Sequence, residues 1–416
     1  MEGGMTPGMS GRERDWRRER GREIEGVDFA LLGRRDAGKS GMPGFLQSGA
    51  EVGRSKIMSS NPGGRIVTFG EVMLRLTPPG FRRLAQVVPG AVEVSLAGAE
   101  VNVAASLARL GREATFVSAL PRHAAGDAVV AELRRWGVET KHLLRPAEGR
   151  LGLFFYEKGV NQRRAEVIYD REGSAVSLLG AGSYDWGAIF EGAGWFHVSG
   201  ITPAISRPAA AAALEAVREA SQRGLRVSLD ANFRSKLWQW EAGTAPRDLA
   251  DRTLRDMMPY VEVFIGGPDD VVGLTGAPLG EGDRHRAAAR QLAGHFPGLR
   301  LVAMTLREAI SASHQRLGGL LYEVASGQLW EAPRPQGARP LYDMPQLVDR
   351  LGGGDAFAAG LIFALTEAAP TAPQAALDFA VAASCLAHSV EGDFNLATAE
   401  EVAALAQGIG AGQVNR

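Results

Sequence analysis

The feature that most constrains the fold is a regular alternation of short apolar runs with helical patterns from Gly64 onward. Apolar runs of this length are typical of strands buried on both faces, and helical periodicity separates them here. The predicted strands span 66–69, 115–120, 195–198, 227–229, 261–265 and 301–305, and the predicted helices span 102–110, 128–136 and 208–223. Because helices connect the strands, the sequence predicts an α/β fold with a mainly parallel sheet and ligands at the carboxyl ends of its strands.

Two stretches interrupt this alternation. Residues 74–96 and 151–170 have the pattern of extended strands with no helix between them. We therefore predict a small β-sheet that forms a lid over the main sheet. The domain plan is one large domain over residues 63–400 that includes the two lid segments, followed by a helix or tail over 401–416.

Residues 1–62 differ in composition, since they are rich in Gly, Arg and Ser and lack periodic apolar positions. Such a segment cannot bury enough apolar surface to offset the entropy of ordering, so we predict a disordered extension. Residues 33–40 match the P-loop pattern G-x-x-x-x-G-K-S. A P-loop must lead into a helix, but Gly41, Pro43 and Gly44 follow here, so we do not expect Lys39 to bind a nucleotide.

Overall composition excludes several classes of protein. The chain has 416 residues, 45% of them hydrophobic, and a formal net charge of −1, which predicts a soluble globular protein without a nucleic-acid or membrane partner. Its single cysteine, Cys385, excludes an internal disulfide and fits a reducing cytoplasm. No apolar run reaches the roughly 20 residues of a membrane-spanning helix. We therefore expect a cytoplasmic protein.

A glycine-rich turn near the C-terminal end carries the strongest chemical signal. Gly352, Gly353 and Gly354 run into Asp355, and an apolar stretch of helical period follows. Glycines let the backbone approach a ligand closely, and the N-terminus of a helix favours an anion. Asp355 would lie beside that anion, where its carboxylate could take a proton from a hydroxyl group. From these residues alone, a helix cap after a flexible loop explains the pattern equally well.

Several motifs in this order resemble the ribokinase-like (PfkB) carbohydrate kinases over about residues 64–400. They are GEVMLRL at 70–76, AGAEVNVA at 97–104 and DRLGGGD at 349–355. Within that family the sequence is most similar to 2-keto-3-deoxygluconate kinases, through residues 168–171, 228–234, 383–386 and 392–395. The resemblance implies a ribokinase-like three-layer αβα sandwich with a β-sheet lid. It also implies ATP-dependent phosphorylation of a sugar acid, 2-keto-3-deoxygluconate, to its 6-phosphate.

The resemblance assigns roles to individual residues. It implies that Asp355 is the general base and that the N–H groups of Gly352, Gly353 and Gly354 bind the transferred phosphoryl group. The substrate-binding residues that it implies are Gly98, Asn102, Tyr169, Arg171 and Arg234. Arg234 follows a predicted strand, and its planar guanidinium suits a substrate carboxylate. Structural roles stay open: Arg234 could pair with a carboxylate of the protein, Tyr169 could fill the lid's apolar face, and Asn102 could cap a helix.

The nucleotide side matches the family less well. The resemblance implies ATP and Mg²⁺ as cofactors and allows a monovalent cation as well. It also implies that the nucleotide is bound by Thr305, Arg307, Gly354 and Asn395. The family's N-x-x-E motif appears here with Gly267 and Asp270 in place of its asparagine and glutamate. Asp270 is therefore expected to act on the metal only through water, since Mg²⁺ retains much of its hydration shell.

Alternatives to this function remain at the level of sequence. The substrate could instead be fructose, ribose or a nucleoside, or the chain could bind a sugar without turnover. The altered segment at Gly267 favours the second alternative, whereas the intact turn at Asp355 opposes it. Lid sheets in this family often pair between subunits, so a homo-oligomer is also expected.

Overall fold

The computed structural model describes residues 64–334, 341–367 and 371–409. The predicted extension 1–62, including its P-loop-like stretch, and residues 410–416 lie outside these ranges. The strands are β1 (Arg65–Phe69), β2 (Met73–Thr77), β3 (Glu93–Ala97), β4 (Ala114–Ala119), β5 (Leu143–Leu144), β6 (Gly152–Glu157), β7 (Glu166–Asp170), β8 (Ala193–Ser199), β9 (Arg226–Asp230), β10 (Val263–Ile265), β11 (Leu301–Ala309), β12 (Gln315–Glu323), β13 (Leu329–Ala332) and β14 (Tyr342–Met344).

Helices connect most of these strands. They are α1 (Leu84–Val87), α2 (Ala99–Arg109), α3 (Ala124–Arg135), α4 (Trp186–Phe190), α5 (Ile201–Ala204), α6 (Arg207–Gln222), α7 (Pro246–Met257), α8 (Pro268–Thr275), α9 (Arg284–His295), α10 (Gly353–Leu365), α11 (Pro373–Ala387) and α12 (Ala399–Ala406). The predicted C-terminal helix thus begins two residues before position 401. Within the described part of the chain, no helix combines the length and the apolar character needed to cross a bilayer.

The larger sheet is mixed but mostly parallel. Its strand order is β13-β12-β11-β10-β9-β8-β1-β4-β5, with β14 paired to β12. Every neighbouring pair from β5 to β11 is parallel, and the pairs that involve β12 are antiparallel. The chain leaves β1 towards β4 on one side and later returns to β8 on the other. Crevices for ligands form at such reversals of strand order, at the carboxyl ends of the strands.

Helices cover both faces of this sheet, and each face has its own apolar core. In β1, Val67 and Phe69 belong to one core and Ile66 to the other, as the alternation of side chains along a strand requires. Residues from α6, α7 and α9 complete the first core, and residues from α2, α3, α10 and α11 complete the second. The predicted three-layer αβα sandwich is therefore confirmed.

A separate four-stranded sheet is built from the two segments that interrupt the alternation. Its order is β3-β2-β6-β7, and β2 and β6 are parallel at its centre. The expectation of no helix between the strands of residues 74–96 is wrong, because the short helix α1 lies there. Its first turn is fixed by the backbone N–H of Leu84, which donates to Glu157 Oε1 at 2.7 Å. This contact comes from β6 and is invisible in the local sequence.

Two glycines within helices provide opposite tests of packing. A Cβ atom at Gly360 of α10 would lie 3.0 Å from Ala380 Cα and from Ala383 Cβ of α11, whereas one at Gly294 of α9 would meet nothing within 4 Å. We predict that Gly360→Val lowers the free energy of unfolding by about 1–3 kcal/mol through overpacking. Gly294→Ala should raise it by about 0.5–1 kcal/mol through helix propensity. Urea unfolding followed by circular dichroism measures both, and equal effects of the two substitutions would contradict this packing.

Candidate active site

The glycine-rich turn is shaped by close contacts that exclude side chains. Gly352 precedes α10 with φ +78°, in the left-handed region, and a Cβ atom there would lie 2.2 Å from the carbonyl oxygen of Asp393. A Cβ atom at Gly353 would lie 2.1 Å from Cε1 of His388 on the loop after α11. Glycine is therefore required at both positions. The second contact also explains why Gly353 replaces the alanine of the resembling motif.

The start of α10 presents free backbone donors. The first intrahelical bond runs from the Ala356 N–H to the carbonyl oxygen of Gly352 at 2.8 Å. The N–H groups of Gly353, Gly354 and Asp355 therefore have no acceptor within the helix, and the helix dipole adds positive potential at this end. The guanidinium of Arg307 lies over this turn, since its Nη2 is 3.7 Å from the Cβ position of Gly354. This arrangement suits an anion.

Asp355 is held in place by the helix that follows β3. Its Oδ2 accepts a hydrogen bond from Asn102 Nδ2 at 2.7 Å, and Asn102 Oδ1 accepts one from the Gly98 N–H at 3.3 Å. Gly98 precedes α2, and a Cβ atom there would lie 2.1 Å from the carbonyl oxygen of Glu71. The structure thus brings three predicted site residues together, although Asp355 lies 253 positions after Asn102 in the sequence.

Burial raises the pKa values of two neighbouring carboxyl groups, those of Asp355 and Asp230. Asp355 is half-exposed as a residue, but its carboxyl group is enclosed, and this burial raises its pKa to about 8. The nearby charges of Asp230 and Asp393 raise the pKa further, whereas the Asn102 hydrogen bond and Arg234 oppose the shift. Burial likewise raises the pKa of Asp230 to about 7. A carboxyl with such a pKa is a competent proton acceptor near neutral pH.

Two predicted arginines face this site without an ion-pair partner. Arg234 makes one side-chain hydrogen bond to described residues, to the carbonyl oxygen of Phe233 at 3.0 Å, and Arg307 makes none. Arg307 is exposed as a residue, yet burial of its guanidinium, together with the positive charges of Arg234 and Arg350, lowers its pKa. Within the described ranges neither arginine has a carboxylate within ion-pair distance. Both guanidinium groups are therefore available to anionic ligands.

The predicted lid residues have partners on the inner face of the small sheet. Arg171 is buried and forms an ion pair with Glu71, and its guanidinium lies 5.5 Å from the centre of the Tyr169 ring. Tyr169 is half-buried and packs against Phe154, with 5.9 Å between ring centres. Lys236 Nζ donates to the carbonyl oxygen of Val167 at 3.3 Å, which ties the loop after β9 to this sheet. Both predicted residues thus make structural contacts beside the site.

The residues predicted for the nucleotide lie in three segments: β11, the glycine turn and the loop after α11. Thr305 is half-buried in β11 and lies two positions before Arg307, on the same side of the strand. Asn395 is buried; its Oδ1 accepts from the Ala397 N–H at 3.1 Å, whereas its Nδ2 has no partner among the described residues. This Nδ2 is a donor that a ligand or water would satisfy.

Asp270, predicted to act on a metal through water, has both carboxylate oxygens engaged. Oδ2 accepts from the Gly267 N–H at 2.8 Å, and Oδ1 accepts from Arg247 Nη1 at 3.1 Å. The described residues contain no group of three or more His, Cys, Asp or Glu side chains that could hold a metal. The engaged oxygens leave Asp270 suited to a hydrated ion rather than to direct coordination.

Four charged residues at or behind the site were missed at the level of sequence. Asp230 lies close enough to Asp355 to raise its pKa. Arg75, Asp349 and Asp393 form a buried ionic cluster behind the glycine turn. All four stand inside the motifs that carry the resemblance. The charge of Arg75 between Leu74 and Leu76 could have indicated a buried ion pair, because the inward position of a strand rarely holds an unpaired charge.

Comparison with known proteins identifies the family. The model of the family described as "pfkB family carbohydrate kinase" matches residues 64–399 of this chain. A 2-dehydro-3-deoxygalactonokinase of Haloferax volcanii is 32% identical over 347 residues, which cover 83% of this chain and 98% of the relative. A 2-dehydro-3-deoxygluconokinase of Bacillus subtilis is 28% identical over 302 residues, covering 72% and 83%.

A solved structure gives the same result. The crystal structure of a 2-dehydro-3-deoxygluconokinase from Thermotoga maritima matches with a TM-score of 0.75 and 35% identity, covering 83% of this chain and 99% of that one. The family match includes both sheets and every described residue of the site. By this match and by its fold, the chain belongs to the pfkB family of carbohydrate kinases.

Proposed function

We propose that this kinase transfers the γ-phosphoryl group of ATP to the terminal hydroxyl of a 2-keto-3-deoxy sugar acid, 2-keto-3-deoxygluconate, to give the 6-phosphate. The observation that carries the proposal is the position of Asp355, whose carboxylate is held by Asn102 at 2.7 Å beside the open N–H groups of α10. Proton acceptor and anion site are thus adjacent. Phosphoryl transfer depends mainly on such positioning and on charge stabilisation.

Each group has a task in this reaction. Asp355 takes the proton of the attacking hydroxyl, and Asn102 orients the Asp355 carboxylate. The N–H groups of Gly353 and Gly354 and the guanidinium of Arg307 stabilise the negative charge on the transferred group. Gly352 contributes the left-handed backbone turn that lets α10 start there.

The choice of a sugar acid rests on Arg234. Its guanidinium lies within electrostatic range of Asp355, and it has no carboxylate ion-pair partner among the described residues. A substrate carboxylate would supply that partner through two parallel hydrogen bonds. The names of the relatives support the same class, since they are kinases of 2-dehydro-3-deoxygluconate or 2-dehydro-3-deoxygalactonate. Arg171 would join this contact only by exchanging Glu71 for the substrate.

ATP and Mg²⁺ are the proposed cofactors. Arg307, Thr305 and the free Nδ2 of Asn395 would hold the nucleotide, and Asp270 would contact the hydrated metal through water. The metal supplies charge neutralisation at the phosphates. The monovalent cation that the resemblance implies stays a prediction. An ATP-dependent reaction and a chain with one cysteine both fit the cytoplasm.

Removing the carboxylate should separate activity from stability. We predict that Asp355→Asn lowers kcat by about 10²- to 10⁴-fold, because the hydroxyl loses its proton acceptor. The folded-state pKa of about 8 lies above the ordinary aspartate value, so the ionised carboxylate opposes folding increasingly as pH rises from about 4 to 8. At pH 8 the variant should therefore melt at the same temperature as the unmodified protein or higher. Coupled ADP-release assays and thermal unfolding measure the two effects.

A control and a pH profile make this test specific. Asp256→Asn, at an exposed position of α7, should change neither quantity. In the unmodified protein kcat/KM should rise with pH up to the Asp355 pKa of about 8 and level off only above it, because the free enzyme must lose the Asp355 proton. Wild-type turnover by Asp355→Asn, or a flat profile between pH 6 and 8, would remove Asp355 from the reaction.

Arg234 should discriminate sugar acids from neutral sugars. We predict that Arg234→Met lowers kcat/KM for 2-keto-3-deoxygluconate by about 10- to 100-fold, because the charge-assisted hydrogen bonds to the substrate carboxylate are lost. The kcat/KM of Arg234→Lys should lie between those of Arg234→Met and the unmodified protein, since an ammonium group keeps the charge but cannot form the bidentate contact. Fructose and ribose, which lack the carboxylate, serve as matched substrates for the same variants. Equal or better turnover of a neutral sugar by the unmodified protein would favour the alternative substrates.

The small sheet supports a homo-oligomer. Its inner face, with Met73, Phe154 and Tyr156, is buried, whereas its outer face carries Leu76, Phe155, Val94 and Ile168. Val94 is 60% exposed and Ile168 is 47% exposed. A contiguous apolar sheet face of this kind marks an interaction surface. We propose that a second copy of the chain covers it, as the resemblance implies.

Substitutions on the outer face should change the mass in solution. We predict that Val94→Asp combined with Ile168→Asp converts the oligomer to a monomer, because two charges would be buried in an apolar contact. Sedimentation equilibrium measures the mass. Ile310→Asp, which places a charge at another exposed apolar residue (50% exposed), is the control and should leave the mass unchanged. A monomeric unmodified protein at micromolar concentration would contradict the proposal.

A further inference from the structure

A buried ionic cluster lies directly behind the glycine turn and has no part in the reaction as described above. Its centre is Arg75 on the inner face of β2, which is 1% exposed. The Arg75 guanidinium donates to Asp349 Oδ2 at 2.5 Å, to Asp393 Oδ1 at 2.6 Å and, through Nε, to Thr77 Oγ1 at 2.9 Å. It also lies 4.5 Å from the centre of the Tyr156 ring. The guanidinium is thus bonded on every side.

A second cation from the small sheet joins this cluster. Lys158 directly follows β6 and is buried; its Nζ lies 2.7 Å from Glu391 Oε1 and 3.9 Å from Asp349 Oδ2. Both cations therefore come from the small sheet. The carboxylates come from two segments that form the glycine turn and its back, Asp349 from the first and Glu391 and Asp393 from the second. These ion pairs accompany an apolar contact, since Leu351 packs against the small-sheet cluster that contains Phe154 and Tyr156.

Both carboxylates bound by Arg75 belong to segments that shape the turn. Asp349 Oδ1 accepts from the Arg350 N–H at 2.7 Å and from the Leu351 N–H at 3.3 Å, which fixes the residues leading into Gly352. Asp349 Oδ2 also accepts from the Gly392 N–H at 3.3 Å. The Asp393 carbonyl oxygen occupies the space where a side chain of residue 352 would stand. A shift of either carboxylate would therefore move the turn.

Two buried carboxylates this close repel each other and require a countercharge. A planar guanidinium can bond both at once, whereas an ammonium group is a single point charge that cannot reproduce both contacts with the same geometry. The chain supplies this countercharge from a different sheet, which links the position of the small sheet to the geometry of the phosphate-binding turn.

We propose that Arg75 is a positioning residue for the phosphate-binding turn. By bonding Asp349 and Asp393 together, it keeps segments 349–352 and 391–395 at the separation at which the N–H groups of α10 face the transferred phosphoryl group. Arg75 itself touches neither substrate nor nucleotide. The inference rests on the proposed function in assigning that turn to phosphate.

The experiment compares Arg75→Lys and Arg75→Met with a matched control. Arg226 is buried to the same degree (2% exposed) and lies 4.6 Å from the centre of the Trp195 ring, but it begins β9 at the end opposite Asp230. We expect both Arg75 variants to lose about 10²-fold or more in kcat, as when an oxyanion donor is misplaced. The KM for the sugar acid should change little. Arg226→Met should retain kcat even where its melting temperature falls.

Chemical rescue separates positioning from general stability. In Arg75→Ala, which leaves a cavity of the right shape, added guanidinium ion should restore kcat in a saturable way without raising the melting temperature to the same extent. The same additive should not stimulate Arg226→Ala. A folded Arg75→Lys variant with wild-type kcat, or an equal loss of kcat in Arg226→Met, overturns the proposal. If Arg75→Met fails to fold, Arg75→Lys decides.

Failure of the proposed function would be recognised separately. If the unmodified protein phosphorylates no sugar acid, the substrate assignment fails, and Arg75 is then judged by calorimetric binding of a non-hydrolysable ATP analogue. Weaker binding of this analogue by Arg75→Lys than by Arg226→Met supports the positioning role. Equal binding by these two variants rejects it.

Discussion

The hydrogen bond between Asn102 and Asp355 is the interaction on which the site depends. It joins α2, which follows the small sheet, to α10, which begins at the glycine turn, at an Nδ2–Oδ2 distance of 2.7 Å. Both helices belong to the same apolar core, so the bond is fixed by packing on either side. It sets the direction of the carboxylate that stands beside the open N–H groups of α10. A site built on helix termini in this way is more rigid than one built on loops alone.

Close backbone contact has the same importance at the turn itself. Gly352 and Gly353 have no room for a side chain because Asp393 and His388 fill that space. The loop after α11 thus forms the back of the anion site, although it is far from the turn in sequence. These contacts account for the first two of the three consecutive glycines, whereas a Cβ atom at Gly354 would meet only Arg307 Nη2, at 3.7 Å.

Charge is concentrated around this site at a cost to stability. Burial raises the pKa of Asp355, Asp230 and Asp393 to about 8, 7 and 6, respectively, so each carboxylate resists ionisation in the folded state. Arg75 offsets this cost for Asp393 through a direct ion pair, whereas Asp355 and Asp230 have neutral donors, Asn102 Nδ2 and the Asn232 N–H, and the longer-range charge of Arg234. The carboxyl groups without an ion pair are the ones at the proposed reaction site. Functional groups commonly retain such unfavourable environments.

The sequence alone determined the class of fold, because periodicity and the order of strands and helices follow from which residues are apolar. It also determined the family and singled out Asp355, since glycines before a helix with an acidic first turn form a local pattern. Only the tertiary structure decided which side chains meet. It paired Arg171 with Glu71, engaged Asp270 with Arg247, left Arg234 without an ion-pair partner among the described residues, and placed Arg75 between two aspartates. These pairings join residues that lie far apart along the chain, and no local pattern records a distance that folding alone creates.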